Sequence, residues 1–317
     1  MTRTQNIQAL RRIAATVCTT LAAFTVLPGS AEAASTSSHG WPVRPFDRQH
    51  PVRGFFGDPR IAEMGREPQG SFHFGIDISC PDGTAVYATL SGSVVLESSR
   101  PETVAVRDDD GHTVHAFWHI APSVRNGQRV EAFRTVVGHV KAPWGHVHFS
   151  EVRDGVYLNP LRPGAMRPYR DRTKPIVRSV RAENGDRGIP LRALSGRFDL
   201  VAEVADRMPV AAPAPWTGFP VMPSIVRWRF SGSVVTPWHV AADFRSALPA
   251  ASTFRTTYAQ WTRQNHPGRL GRYRILLARD VDARTLPLRG CRLEIEVVDT
   301  GGNRLMRVFA MRVARRR

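Results

Sequence analysis

Lysine is almost missing from this 317-residue sequence: Lys141 and Lys174 are the only two, so arginine carries the basic side of a formal charge of +17. Cysteine is scarce too, with three in the whole chain, too few for a disulfide framework. There is no low-complexity block, no internal repeat and no convincing long amphipathic helix, which argues against a repeat solenoid, a coiled coil or a helical bundle. No arginine block or aromatic-interleaved basic stripe is present, so the charge does not single out nucleic acid as a partner. It predicts instead non-specific adhesion to polyanions, anionic wall polymers among them.

A membrane-spanning run is also wanting. The apolar stretch from Ile13 to Pro28 falls short of the about 20 residues that cross a bilayer. It follows Arg3, Arg11 and Arg12 and precedes Ala31-Glu32-Ala33, which is the order of a secretory signal peptide over residues 1–33. Arg11-Arg12 is followed by Ile13-Ala14-Ala15, a poor twin-arginine context. Val17 before Cys18 stands where a lipoprotein box has a small residue. The expectation is a cleaved general signal and a mature protein that is secreted or faces the cell wall, with no stable membrane anchor. Cleavage removes three arginines and one glutamate, taking +17 to +15. Cys80 and Cys291 remain, and an oxidising compartment would permit them to pair.

What is present is a wealth of short strand patterns. Thr84–Leu90, Gly92–Glu97, Thr103–Arg107, Thr113–Ile120 and Val147–Val152 read as strands, with Asp109-Asp110-Gly111 as a hairpin turn. Four prolines among arginines and glycine between 160 and 176 read as a linker. Beyond it Phe198–Val204, Ile225–Phe230, Tyr273–Leu277, Leu293–Val298 and Leu305–Val313 read as strands of a β-sandwich, with Asp299 to Asn303 a turn. The predicted fold is all-β: an antiparallel domain over 34–162, a linker over 163–176 and a β-sandwich over 177–317.

The chemistry lies in the histidines. "FHFGIDIS" sets His73 and Asp77 four apart, which in a strand puts both on one side. "WGHVHFSEV" puts His146 and His148 on one side, with Val147 and Phe149 toward the core. Two imidazoles and a carboxylate suit zinc with a fourth position open to water, and Cys80 has the wrong parity to close the site. In "HTVHAFWHI", alternation groups His115, Phe117 and His119 on one face, with Val114, Ala116 and Trp118 on the other. A histidine beside the metal could accept a proton from water or stabilise an oxyanion. His112 and His115 read as solvated or core-edge histidines, and these patterns alone do not separate the roles of His146 and His148.

These segments, with Gly83, Val86 and Ala88, "SGSVV", and Asn159-Pro160, resemble the M23 peptidases, zinc endopeptidases of the lysostaphin and LytM type that act on peptidoglycan. "FFGDPR" (residues 55–60) is similar to that family's Phe-Gly-x-Arg segment near the site entrance. The resemblance covers about residues 41–162. It implies one Zn2+ per chain on His73, Asp77 and His148, with His119 and His146 as the catalytic pair and peptidoglycan as substrate. The alternative is a catalytically silent relative that binds the wall or activates another hydrolase. Two departures bear on the substrate groove: the stretch between Gly138 and His146 is shorter than the family's loop, and "SSRPETVAV" lacks its glycine-asparagine segment. Trp144 in the shortened loop is a candidate substrate platform or a packing residue. "VVDTGGN" makes the second domain similar to bacterial immunoglobulin-like modules, with wall attachment, positioning or plain spacing as its role. The enzyme is expected to be a monomer.

Overall fold

The computed structural model describes residues 38–61, 70–233, 235–286 and 290–314. The expected signal peptide, residues 1–33, lies outside the described residues. Among these, secondary structure is nearly all β, with one four-residue α-helix (Phe254–Thr257) and two 3₁₀ turns, and every strand pair is antiparallel. No helix of the described residues is long and apolar enough to cross a membrane.

The N-terminal half is built on an eight-stranded sheet. Its order is Val52–Gly54, Ile76–Ser79, His146–Arg153, Thr113–Trp118, Thr103–Arg107, Gly92–Val95 and Arg129–Val130, with Val156–Leu158 pairing the far end of His146–Arg153. A three-stranded sheet, Ala85–Tyr87, Val136–Val140 and Ile120–Pro122, lies beside it in the chain's path. The central strands alternate because one face must be dry. Val104 and Val106, Phe117, and Val147 with Phe149 are fully buried and share one apolar cluster with Ile76, Ile78 and Trp41. The Asp109–Gly111 turn joins two paired strands, as its composition requires, with Gly111 at φ 77°.

The C-terminal half pairs a five-stranded sheet (Arg187–Ile189, Ile176–Asn184, Arg197–Arg207, Pro220–Val221 and, on Arg197–Arg207, Tyr273–Asp282) with a four-stranded one. The latter runs His239–Asp243, Ile225–Ser231, Arg292–Val298, Arg304–Ala310. Leu200, Ala202 and Val204 of the first and Val226, Leu293, Ile295 and Val297 of the second belong to one buried cluster. On the wet face of Ile225–Ser231, Arg227 sits opposite Glu296 and Arg229 opposite Glu294, and both pairs form ion pairs. Cross-strand charge pairs of this kind fix register rather than supply much stability. Residues 209–215 contain no regular element.

The two halves share core residues. Phe56, Ile61 and Phe72 join the C-terminal cluster, where Phe72 packs against Phe244, Phe254 and Tyr258, and Val221 joins the N-terminal one. Backbone groups are exchanged as well: Met222 N–H donates to Asp58 Oδ1 (2.7 Å) and the Tyr258 hydroxyl donates to the Gly57 carbonyl (2.5 Å). The Asn159 side-chain amide donates to the Phe244 carbonyl (2.9 Å). The described residues form one compact unit. Cys80 and Cys291 are both buried and free, so the two halves are held by packing and hydrogen bonds rather than by a disulfide.

Candidate metal centre

Asp77 and His148 are directly opposite each other in adjacent strands, and Trp118 stands opposite His148 on its other side. Residues facing each other across a ladder share a face, so this register brings the carboxylate and the imidazole together. His73 arrives differently. It follows the Gly70–Phe72 strand and precedes Ile76–Ser79, so the four-residue spacing spans a break instead of one strand. Its backbone N–H donates to the Asp58 carbonyl (2.8 Å) and its carbonyl accepts from Gly57 N–H (2.9 Å), which fixes the turn.

The three side chains meet at three atoms. His73 Nε2 lies 2.8 Å from His148 Nδ1 and 3.1 Å from Asp77 Oδ1, and His148 Nδ1 lies 3.0 Å from Asp77 Oδ1. The Phe55 carbonyl, which can only accept, sets the proton of His73 on Nδ1 (2.9 Å), and His148 Nε2 pairs with the Ser150 hydroxyl (2.8 Å), which serves as donor or acceptor. His73 Nε2 therefore carries a lone pair aimed at His148 Nδ1 and at a carboxylate oxygen. The three atoms form a set that could hold a metal ion. Tetrahedral donors at zinc bond lengths stand about 3.3 Å apart, so the set is within a few tenths of an ångström of a zinc face.

The electrostatics agree. Burial pushes the His148 pKa down to about 4 and lowers that of His73, so both are neutral and free to ligate. Burial alone would raise Asp77, but His73, Arg60 and His146 around it hold it well below the carboxylate range. Arg60 donates to Asp77 Oδ2 at 2.6 Å, which leaves Oδ1 turned to the histidines. Gly54 permits this approach, since a Cβ there would lie 2.4 Å from Asp77 Oδ2. Arg60 belongs to "FFGDPR", yet nothing in that segment says that its guanidinium reaches Asp77; only the paired Pro59–Ile61 and Gly70–Phe72 strands place it.

His146 lies beside the triangle, its Nε2 3.5 Å from Asp77 Oδ1. Its Nδ1 is 2.6 Å from Arg53 Nη2, and Arg53 also donates to the Trp144 carbonyl (2.8 Å). The same Nδ1 lies 2.8 Å from the Trp144 carbonyl, so a donor and an acceptor both meet it, while Nε2 faces the site. The face of Trp216, from the irregular C-terminal stretch, lies 4.5 Å from the Arg53 guanidinium carbon.

His119 departs from simple alternation. In the strand Thr113–Trp118, His115 and Phe117 point to the core and Trp118 to the side of His148, so alternation would send His119 to the core face with Phe117. Its φ of 65° turns it instead toward the site, where its ring lies 4.7 Å from that of His146 and stacks on Trp144 at 3.9 Å. A non-glycine residue in the left-handed region is uncommon and costs about 1 kcal/mol or more, and here it carries the His119 ring to the side of His146 and Trp144. Burial and the neighbouring His146 lower the His119 pKa to about 4. Trp144 is 40% exposed and its indole N–H donates to Glu102 (3.1 Å). His112 is an exposed partner of Asp154 (2.6 Å), and His115 is buried on the opposite face of the sheet.

The Peptidase family M23 model matches residues 71–160, less than a third of the chain but the whole ligand and histidine set. No curated protein matches the chain. Among solved structures, the catalytic domain of the antimicrobial peptidase lysostaphin from Staphylococcus simulans is 22% identical, covering 34% of this chain and 87% of its own, with a TM-score of 0.28. A zinc-containing peptidase from Vibrio cholerae is 19% identical over 39% of each chain, with a TM-score of 0.33. LytU is 23% identical over 36% of this chain and 84% of its own, with a TM-score of 0.29. Residues 71–160 of this chain are accordingly a peptidase family M23 domain.

Proposed function

We propose that this protein is an exported zinc endopeptidase that hydrolyses amide bonds in the peptide stems or cross-bridges of peptidoglycan. The observation that carries the reading is the convergence of His73 Nε2, Asp77 Oδ1 and His148 Nδ1 within 3.1 Å of one another, with His119 and His146 beside them. We assign the first three as metal ligands and the other two as the catalytic pair. The wall substrate is proposed from the M23 domain, and the basic charge supports retention on anionic wall polymers. We also read residues 34–162 as the peptidase part and 177–317 as an accessory immunoglobulin-like module, joined by 163–176.

Bound at the three ligands, zinc would polarise the scissile carbonyl and lower the pKa of a water molecule. The chain's own residues supply the rest. His146 turns Nε2 to the site, where a proton on it would be donated to the oxyanion, and Arg53 and the Trp144 carbonyl hold the ring at Nδ1. His119, neutral at pH 7, accepts the proton of the attacking water. The Trp144 indole packs on the other face of His119 and limits its rotation.

The test is metal analysis of the purified mature protein alongside dye release from labelled peptidoglycan. One zinc per chain and muralytic activity that chelation abolishes and zinc restores are expected. A folded, metal-free protein that still binds wall would replace the enzyme with a binding relative.

A further inference from the structure

Three aspartates from distant parts of the sequence meet in the C-terminal half. Asp171 lies in the proline-rich stretch, Asp206 near the end of the Arg197–Arg207 strand, and Asp299 in the turn after Arg292–Val298. One carboxylate oxygen of each lies within 4.8 Å of the others. Asp206 and Asp299 are 1% and 2% exposed.

The oxygens are unevenly satisfied. Asp171 Oδ1 accepts from the Thr173 backbone N–H (2.8 Å) and hydroxyl (2.7 Å), and Asp206 Oδ1 accepts from Arg207 N–H (2.8 Å). Both Asp299 oxygens accept from Asn303, one from its backbone and one from its side chain, each at 2.8 Å. Asp206 Oδ2 is left buried with no hydrogen-bond partner, and the buried Tyr169 hydroxyl lies beside Asp171, where burial and all three carboxylates push its pKa well above the usual range. No arginine or lysine forms an ion pair with any of the three among the described residues. Buried carboxylates in native proteins are hydrogen-bonded, paired or bound to metal, and here the first two remedies are incomplete. Burial and the neighbouring carboxylates raise the Asp206 pKa to about 8, and burial with Asp171 raises that of Asp299.

We propose that Asp171, Asp206 and Asp299 form a binding site for a calcium ion, separate from the histidine-lined centre. The donors are all hard oxygens, with no imidazole or thiolate to favour zinc or copper. Calcium takes six to eight oxygens in flexible geometry and accepts carboxylates in either mode, whereas magnesium demands a near-ideal octahedron. The Tyr169 hydroxyl supplies a further neutral oxygen. The surroundings are built for close approach: Asn303 Nδ2 donates to the Asp171 carbonyl (3.1 Å), and a Cβ at Gly301 would lie 2.6 Å from Asp171 Cβ. The ion would pin the stretch leaving the peptidase half to two strand ends of the C-terminal sheets. This inference does not depend on the peptidase reading.

The full mature chain, dialysed into calcium-free buffer, is melted with and without 5 mM calcium chloride and titrated with terbium, whose luminescence is excited through Tyr169. A rise in melting temperature of about 3 °C or more and saturation near one terbium per chain are expected. Asp206→Asn removes one charge without changing shape and should lose both responses while melting cooperatively. Should that variant not fold, Asp171→Asn, at a partly exposed position, serves the same purpose. A wild-type melting temperature indifferent to calcium overturns the site, as does a larger response to magnesium or an undiminished calcium response in the folded variant.

Discussion

Two clusters on opposite faces of one sheet contain the same ingredients, two histidines and one carboxylate, and do different things. On one face His73, Asp77 and His148 converge; on the other His39, His115 and Glu151 converge, all three buried. Register separates them: His148 stands opposite Trp118, while Glu151, three residues on, stands opposite His115. The partners around each set decide its chemistry. Arg60 takes only one oxygen of Asp77, leaving the other to the histidine lone pairs. Arg162 takes both oxygens of Glu151, at 2.7 and 2.5 Å, and the Thr89 hydroxyl occupies His115 Nδ1 at 2.7 Å. With its carboxylate neutralised by a guanidinium, the second cluster is a structural brace that ties residues 39 and 162 to the sheet. The difference between the two sets lies in the carboxylate, shared with one guanidinium nitrogen at Asp77 and saturated by two at Glu151.

The comparison breaks most visibly at His148. His148→Ala removes a proposed ligand, and we expect loss of bound zinc and a fall of at least about 10³-fold in peptidoglycan dye release, with the fold kept as judged by circular dichroism. Retained zinc and activity would dissolve the distinction between the faces. The reciprocal substitution acts on stability. Arg162→Met leaves Glu151 buried and uncompensated, and urea unfolding should show a loss of about 3–5 kcal/mol, with turnover by the folded fraction unchanged.

Arg60 offers a finer cut. Arg60→Gln keeps a hydrogen bond to Asp77 Oδ2 but removes the charge, and zinc affinity measured by competition with a chromophoric chelator should fall about 10–100-fold. An unchanged affinity would mean that Asp77 is oriented by the sheet alone.

Much of this arrangement could be read from the sequence, and the exceptions have physical causes. Alternation in "GHVHFSEV" gave His146 and His148 a common side and Val147 and Phe149 the core, because that strand is regular for eight residues. It failed for His119, where a positive φ reverses the side chain, and for His73, which stands outside any strand. The strand Ile176–Asn184, which starts at the last residue of the expected linker, is absent from the strands read in the sequence. A register irregularity between Val177 and Ser179 breaks its period of two, and exposed Arg178 and Arg181 mask its apolar side. The roles of Arg53, Arg60 and the three aspartates rest on contacts between segments far apart in the chain, and local pattern carries no trace of those.

Acid is a graded probe of the brace. Burial, followed by His39, drives the His115 pKa from 6.5 to about 3, so the folded protein binds fewer protons there than the unfolded chain. A histidine depressed in this way contributes stability that is complete above the unfolded value near 6.5 and is lost as pH falls toward about 3. Within that window the contribution declines by at most about 1.4 kcal/mol per pH unit. Urea midpoints between pH 7 and 4 should therefore fall more steeply for wild type than for His115→Gln, which keeps a polar partner for Thr89 but does not titrate. The two proteins should differ little in slope above pH 7. Parallel curves across the acid range would show that His115 is solvated or protonated in place, and the second cluster would lose its standing as a dry, neutral counterpart of the first.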